Sequence, residues 1–429
     1  MKEMAFVVSA SKLLNHSTLF FWQKRQRPHI SPHRHYYLHY LSKRDNTLLL
    51  SQSHSPPPPP STSSLTNKKN SPSPVRAAAA STATAAKMVK AIRVHELGGP
   101  EVFKWEDVEL GEPGEGEIRV KHKAIGINFI DVYYRKGVYK ASSLPFTPGF
   151  EAAGEVVVVG PGVTDLKVGD MVAYPGHLGA YSEEQIVPAD KVVPVPPSID
   201  PVVAASVMLK GMTTQYLVRR TFKVEPGHTI LVHAAAGGVG SLLCQWASAL
   251  GATVIGTVST KEKAEQAKSD GCHHIIFYKE EDFVTRVKEI TSGKGVDVVY
   301  DSVGIDTFQC THFKVRPGTR LFSPLAEKGS LDCLKLRGYM VSFGQSSGTP
   351  EPIPLSAIAP KSLFLTRPTL FHYTTTKEEL LETAEDVFAN IASGVLRVRV
   401  NHTYPLSQAA QAHSDLENRK TSGSIVLIP

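Results

Sequence analysis

Only four cysteines occur in 429 residues, Cys244, Cys272, Cys310 and Cys333, and no two are spaced as C-x-x-C. That scarcity argues against a disulfide framework or a paired-cysteine metal site and points to a reducing compartment. Cys244 falls on the apolar face of a helical run and reads as a small core residue. No apolar run reaches 18 residues, and the apolar start Met4–Val8 is far too short to span a membrane. Acids are nearly missing from the N-terminal stretch, where residues 1–87 hold Glu3 and Asp45 against twelve Lys and Arg. The rest of the chain holds 35 basic and 38 acidic residues, so the net charge of +7 becomes −3 once that stretch is set aside. The high overall pI therefore says nothing about the folded part, and nucleic-acid binding by bulk charge is not supported there.

Residues 1–87 are expected to be a disordered targeting peptide. They are rich in Ser, Pro (Pro56–Pro60), His and Arg, and they lack a periodic apolar face long enough to fold alone. Val75-Arg-Ala-Ala78 has the look of a plastid transit-peptide cleavage site, so a chloroplast location is expected. A mitochondrial presequence and an extension without function are the alternatives.

What is present is most informative at Thr229-Ile-Leu-Val-His-Ala-Ala-Ala-Gly-Gly-Val-Gly240. Residues 229–232 read as a buried strand, Val239–Leu250 follows helical spacing, Gly251 stops that helix, and Ala252–Val258 is the next strand. The glycines thus stand at the strand-to-helix junction of a βαβ unit. Gly237 lets backbone approach a pyrophosphate, Gly240 lets the helix pack close to the strand, and the helix N-terminus faces the anion. The stretch departs from G-x-G-x-x-G at its first position, Ala235. Sites for NAD carry Asp or Glu at the end of the second strand, to bind the ribose 2′-hydroxyl. Here Ser259 stands there, followed by Thr260, Lys261 and Lys263. A hydroxyl and lysines attract a 2′-phosphate that a carboxylate would repel, which points to NADPH. A solvated lysine run at a helix start is the bland alternative.

From Met88 to about Pro197, short strands alternate with Gly/Pro-rich turns, an irregular all-β pattern. A helix over Pro201–Val218 leads into six strands at 229–233, 253–257, 273–278, 297–301, 339–344 and 362–366. Helical runs at 239–250, 261–269 and 280–291 separate the first four. This rhythm predicts an α/β fold with a doubly wound six-stranded parallel sheet, whose ligands sit at the carboxyl ends of the strands. The chain then returns through a helix at Leu380–Ile391 and strands near 396–404 and 424–428. The expected division is 88–209 with 368–429 as the β domain and 210–367 as the dinucleotide domain. One segment does not fit: Cys310–Lys328 lengthens the fourth crossover with two prolines and no helical face. It reads as a splicing or gene-model artefact, with a functional surface loop as the alternative.

A β domain, a bridging helix, a dinucleotide domain with Gly-Gly-Val-Gly and a return to the β domain resemble the medium-chain dehydrogenase/reductase superfamily. Within it, Ile125-Gly-Ile-Asn-Phe-Ile-Asp131, His233–Gly240, Tyr300-Asp-Ser-Val-Gly304, Met340-Val-Ser-Phe-Gly344 and Gly423–Pro429 look like the zeta-crystallin-like NADPH:quinone oxidoreductases. The resemblance covers roughly Val89 to Pro429 apart from the insert. It implies a GroES-like β domain beside a Rossmann domain, and a homodimer. It also implies cofactor contacts from Gly238, Val239 and Gly240 at the pyrophosphate. Ser259, Lys263, Tyr278 and Arg419 would surround the 2′-phosphoadenosine. Ser302, Phe343, Gly344, Ser346 and Ser347 would come from the fourth and fifth strand ends, and Thr213 and Arg367 would face the nicotinamide. Asn128 and Tyr139 would line the substrate side, with Tyr133 beside them; a turn-forming Asn and a core or rim Tyr are the bland alternatives.

Zinc-dependent members carry Cys where this chain has Asn128, and Gly-His-Glu where it has Gly149-Phe-Glu151. An amide and a phenyl ring cannot make a three-ligand catalytic zinc site, so no metal is expected. Without a Lewis acid, a quinone or conjugated enone is the better acceptor, because its own π-system spreads the arriving charge. The expected activity is NADPH-dependent reduction of quinones. Reduction of an alkenal or enone double bond is the enzymatic rival, and nucleotide-gated RNA binding is the non-enzymatic one.

Overall fold

The computed structural model describes residues 87–308 and 329–429, and the leader to Ala86 and the insert 310–328 lie outside them. The chain enters through β1 (Lys87–Val94) and β2 (Phe103–Leu110), an antiparallel pair. β3 (Glu117–Ile127) buries Ile118, Val120, His122 and Ala124 by simple alternation. It runs into a helix, α1 (Phe129–Arg135), that local pattern does not announce. Then follow β4 (Glu151–Val159), β5 (Met171–Pro175), β6 (Glu184–Pro188) and β7 (Val193–Pro194).

The bridging helix α2 (Pro201–Tyr216) starts at Asp200, whose side chain accepts the Val202 N–H at 2.8 Å, with Pro201 in the first turn. β8 (Thr229–Val232), α3 (Gly238–Ala249), β9 (Thr253–Val258), α4 (Lys261–Ser269), β10 (His274–Phe277), α5 (Phe283–Ile290) and β11 (Val296–Asp301) alternate as the sequence rhythm predicts. The short helices α6 (Ile305–Phe308) and α7 (Gly329–Asp332) flank the insert, before β12 (Leu334–Ser342) and β13 (Phe364–Thr366). Spatial order is β10-β9-β8-β11-β12-β13, every pair parallel. The winding reverses between β8 and β11, which opens a crevice at their carboxyl ends. β11 is buried at all six positions, as a central parallel strand must be.

The return comprises α8 (Lys377–Ala392), β14 (Val400–Pro405), α9 (Ala409–Glu417) and β15 (Ser424–Ile428). β15 pairs with β3 and closes a sheet ordered β14-β15-β3-β4-β5-β7, with β6 also on β3. Three expectations need correction. α1 and α9 were not foreseen, and α5 starts at Phe283 rather than 280 because Asp282 caps it, accepting N–H bonds from Val284 and Thr285. The domain boundary drawn at 209/210 cuts through α2. One hydrophobic cluster joins Ala153 of the β lobe, Met208 and Met212 of α2, Trp246 of the dinucleotide lobe and Phe388 of α8. The lobes share a core, and α2 is its axis.

Candidate active site

A cleft of about 1970 Å³ runs between the lobes along the carboxyl ends of the parallel strands. That exceeds the roughly 300–1,000 Å³ of an ordinary small-ligand pocket, leaving room for a dinucleotide and a second molecule. Of the seventeen residues expected at the site, the cleft is lined by all but Ser347.

At its middle lies the turn after β8. Ala234 takes a left-handed conformation (φ 52°), the Gly237 N–H donates to the Ala234 carbonyl at 2.8 Å, and Gly237 caps α3 in extended conformation. A Cβ on Gly240 would fall on the Ala234 carbonyl oxygen, so only glycine lets α3 sit this close to its strand. The C-terminal segment is stitched to the same turn, with the Gly423 N–H donating to the Ala236 carbonyl at 3.0 Å. The free N–H groups at the start of α3, including that of Val239, suit an anion.

One end of the cleft is cationic. Ser259 follows β9, and Thr260 caps α4 by accepting the Lys263 N–H. Lys263 Nζ donates to the Arg419 carbonyl oxygen at 2.8 Å, and Arg419 reaches Asp306 at 2.8 Å and the Tyr278 hydroxyl at 3.4 Å. Partial burial, and then the nearby Lys279 and Arg419 charges, lower the Lys263 pKa. An anion placed among these three cations would relieve that repulsion.

The other end is aromatic. Tyr139 sits edge-on to Tyr133 and Tyr134, with ring centroids 5.3 and 5.9 Å away. Tyr133 crosses between lobes, its hydroxyl accepting the Gln345 N–H at 2.9 Å, and burial pushes its pKa up to about 12. Thr213, Ser302, Phe343, Gly344 and Ser346 line the far wall. Arg367 also lines it, yet its guanidinium is engaged, donating to the carbonyls of Ser342 and Gly344 at 2.9 and 2.7 Å and to Gln345 Oε1 at 3.0 Å. It braces the loop after β12 rather than offering a free fork. Ser347 corrects the expectation: its hydroxyl donates to the Val303 carbonyl and accepts the Asp306 N–H, tying two loops together behind the cleft wall.

Asn128 is nearly buried beneath this end. Its Nδ2 donates to Glu151 Oε2 at 2.8 Å, and its own N–H donates to the Asp131 carboxylate at the start of α1. Lys210 and Glu151, which sequence reasoning did not single out, complete the floor, with Lys210 Nζ 2.8 Å from Glu151 Oε2. Only the place of Glu151 in Gly149-Phe-Glu could have signalled them. Phe150 packs against Tyr134, centroids 4.8 Å apart, and presents no ligand atom. Among the described residues no group of three His, Cys, Asp or Glu is arranged to hold a metal, and no helix is long and apolar enough to cross a membrane.

Two family models match: the alcohol dehydrogenase GroES-like domain over residues 114–197 and the zinc-binding dehydrogenase domain over 238–323. The quinone oxidoreductase of Pseudomonas aeruginosa is 48% identical, over 80% of this chain and 100% of its own. A 2-haloacrylate reductase of Burkholderia is 47% identical, over 80% and 99%. The crystal structure of Escherichia coli quinone oxidoreductase complexed with NADPH superposes with a TM-score of 0.73 at 48% identity, covering 79% of this chain and all of that one. With the two-lobed fold and the glycine turn in the same places, this chain belongs to the medium-chain dehydrogenase/reductase superfamily and, within it, to the quinone oxidoreductase family.

Proposed function

We propose that this protein is a zinc-independent, NADPH-dependent reductase of quinones. The observation that carries the reading is the polarity of one cleft: a cationic corner of Lys263, Lys279 and Arg419 at one end, and an aromatic wall of Tyr133, Tyr139, Phe343 and Phe371 at the other. NADPH fits this layout, with its 2′-phosphate at the corner and its pyrophosphate at the α3 N-terminus. When bound there it supplies a hydride. The chain's own residues do the rest: the tyrosines and Phe343 hold a flat acceptor and keep water away, and Thr213 and Ser302 offer hydroxyls beside it. Relatives named as quinone oxidoreductases, one of them solved with NADPH, support the reading.

Reduction of a conjugated double bond is the second reading, favoured by the 47% identity to a 2-haloacrylate reductase. Steady-state rates with a benzoquinone, a naphthoquinone and a 2-alkenal decide between them. A higher kcat/KM on the alkenal than on either quinone overturns the first reading.

Two wider proposals go with this one. The leader composition supports import into a plastid, which a fusion of residues 1–87 to a fluorescent protein tests; a mitochondrial signal would be the other outcome. A homodimer is supported by the open edge of β13, where Phe364 is 50% and Leu365 42% exposed, and sedimentation at monomer mass would refute it.

A further inference from the structure

Below the aromatic end of the cleft lies a charge pair that the proposed function does not yet use. Glu151 opens β4 and is completely buried. Its Oε1 accepts the Leu209 N–H at 2.8 Å, while Oε2 accepts both Lys210 Nζ and Asn128 Nδ2 at 2.8 Å. The carboxylate thus takes three hydrogen bonds, and its Oε2 sets two side-chain nitrogens side by side. Space for it is built into the backbone: a Cβ on Gly126 would fall on Glu151 Oε2 and on the Ala205 carbonyl oxygen. Lys210 leans its stem on the glycine turn, its Cδ 2.8 Å from where a Gly238 Cβ would stand, and it lines the cleft beside Asn128. Among the described residues Glu151 is the one hydrogen-bond acceptor of its ammonium, which has three N–H bonds to give.

We infer that Lys210 stabilises the charge that arrives on the acceptor, and that Glu151 is the positioning residue that aims Lys210 at it. The inference rests on the proposed quinone reduction. A hydride brings two electrons and one proton's mass to a quinone, leaving a hydroquinone monoanion; one proton from water then completes the hydroquinone. Lys210 acts by charge from a nearly buried position, where a fixed cation counts for more than in open water.

A salt bridge that merely staples β4 to α2 would look the same in a static structure, and the test separates the two roles. Breaking a buried pair from one side destabilises, whereas replacing both members by neutral groups of similar size is often neutral. The variants are therefore Lys210→Met, Glu151→Gln and the two combined, compared with the full-length protein. Each single change is expected to lower the melting temperature, and the combined one to recover most of that loss. Single-turnover reduction of 1,4-benzoquinone at saturating NADPH is expected to stay about 100-fold slow in Lys210→Met and in the combined variant alike, the loss typical of one removed oxyanion donor. Recovery of the rate along with the melting temperature would overturn the inference.

A second readout needs no turnover. 4-Nitrophenol carries its own absorbance signal for ionisation, and bound in the cleft it mimics the oxyanion. Its bound midpoint is expected about one pH unit lower in the wild type than in Lys210→Met, a tenfold shift in the equilibrium. Equal midpoints, or no bound nitrophenolate in the wild type, would count against Lys210. If the wild type reduces no quinone yet shows the nitrophenolate shift, the substrate reading has failed and the charge site has not.

Discussion

Lys263 and Ser259 are expected to set which dinucleotide the cleft takes. Lys263 is held by the Arg419 carbonyl beside two other cations, and Ser259 stands where an acid would repel a phosphate. Lys263→Ala should weaken NADPH by about 1.5–3 kcal/mol, roughly 10- to 150-fold, and NADH far less. Ser259→Asp should reverse the preference. Nicotinamide fluorescence titrations check both, and equal wild-type affinities would refute the reading. Asp131 makes a different prediction. Burial pushes its carboxyl from 3.8 up to about 7, against the pull of the Asn128 N–H, the Tyr181 hydroxyl and Lys210, with Glu151 adding to the push. Its Oδ1 is buried with no hydrogen-bond partner among the described residues, an unfavourable place for a charged oxygen. A carboxyl whose pKa rises on folding binds its proton more tightly folded than unfolded between about pH 4 and 7. Stability therefore falls as pH rises through that window, by up to about 1.4 kcal/mol per unit, and levels off above it. Asp131→Asn should flatten the slope in melting temperature between pH 5 and 7. Parallel curves for the two proteins would show that Asp131 does not titrate there.

At the scale of elements, the turn into α3 was legible because glycine's lack of a side chain is a local property. The two glycines should not behave alike, however. A methyl at 240 meets the Ala234 backbone carbonyl, which cannot move without breaking the turn. A methyl at 238 meets the Lys210 stem, which can swing. Gly240→Ala should therefore cost about 1–3 kcal/mol of stability and most NADPH affinity, while Gly238→Ala should fold normally. Chemical denaturation with a cofactor titration measures both; equal stabilities would show that the close approach is not what requires Gly240. α1 was not legible. Phe129-Ile-Asp-Val-Tyr-Tyr134 is aromatic and β-branched, a strand composition by propensity. Asp131 reaching back to the Asn128 N–H turns it into a helix, and only the Asn-x-x-Asp spacing hinted at that.

At the scale of the whole molecule, the crossover between β11 and β12 is the test case. The insert itself lies outside the described residues, but its flanks do not. Ser330 Oγ donates to the Thr307 carbonyl at 2.9 Å and contacts the buried His233 ring at 3.0 Å, so α6 and α7 meet directly. Chain ends that already touch can be joined by a short link. Deleting 310–328, which joins Gln309 to Gly329, should raise the melting temperature and tighten NADPH binding. A higher melting temperature and tighter binding for the full-length chain would show instead that the segment is an integrated loop.

Strand–helix rhythm, the six parallel strands and the glycine turn were determined by the sequence alone, because periodicity and missing side chains act over a few neighbouring residues. Most of the residues expected beside the cofactor line the cleft, since a parallel sheet delivers its strand ends to one edge whatever the loops do. Ser347 shows where that argument stops: adjacent to Ser346, it points its hydroxyl at Val303 instead of the cleft, and no local pattern encodes that choice. The tertiary structure alone showed the Lys263 ammonium held on the Arg419 carbonyl, 156 residues away, and Lys210 beneath Asn128 through Glu151. A buried charge is stable only where its partner arrives, and partners on different elements meet only once the shared core has set α2 between the lobes.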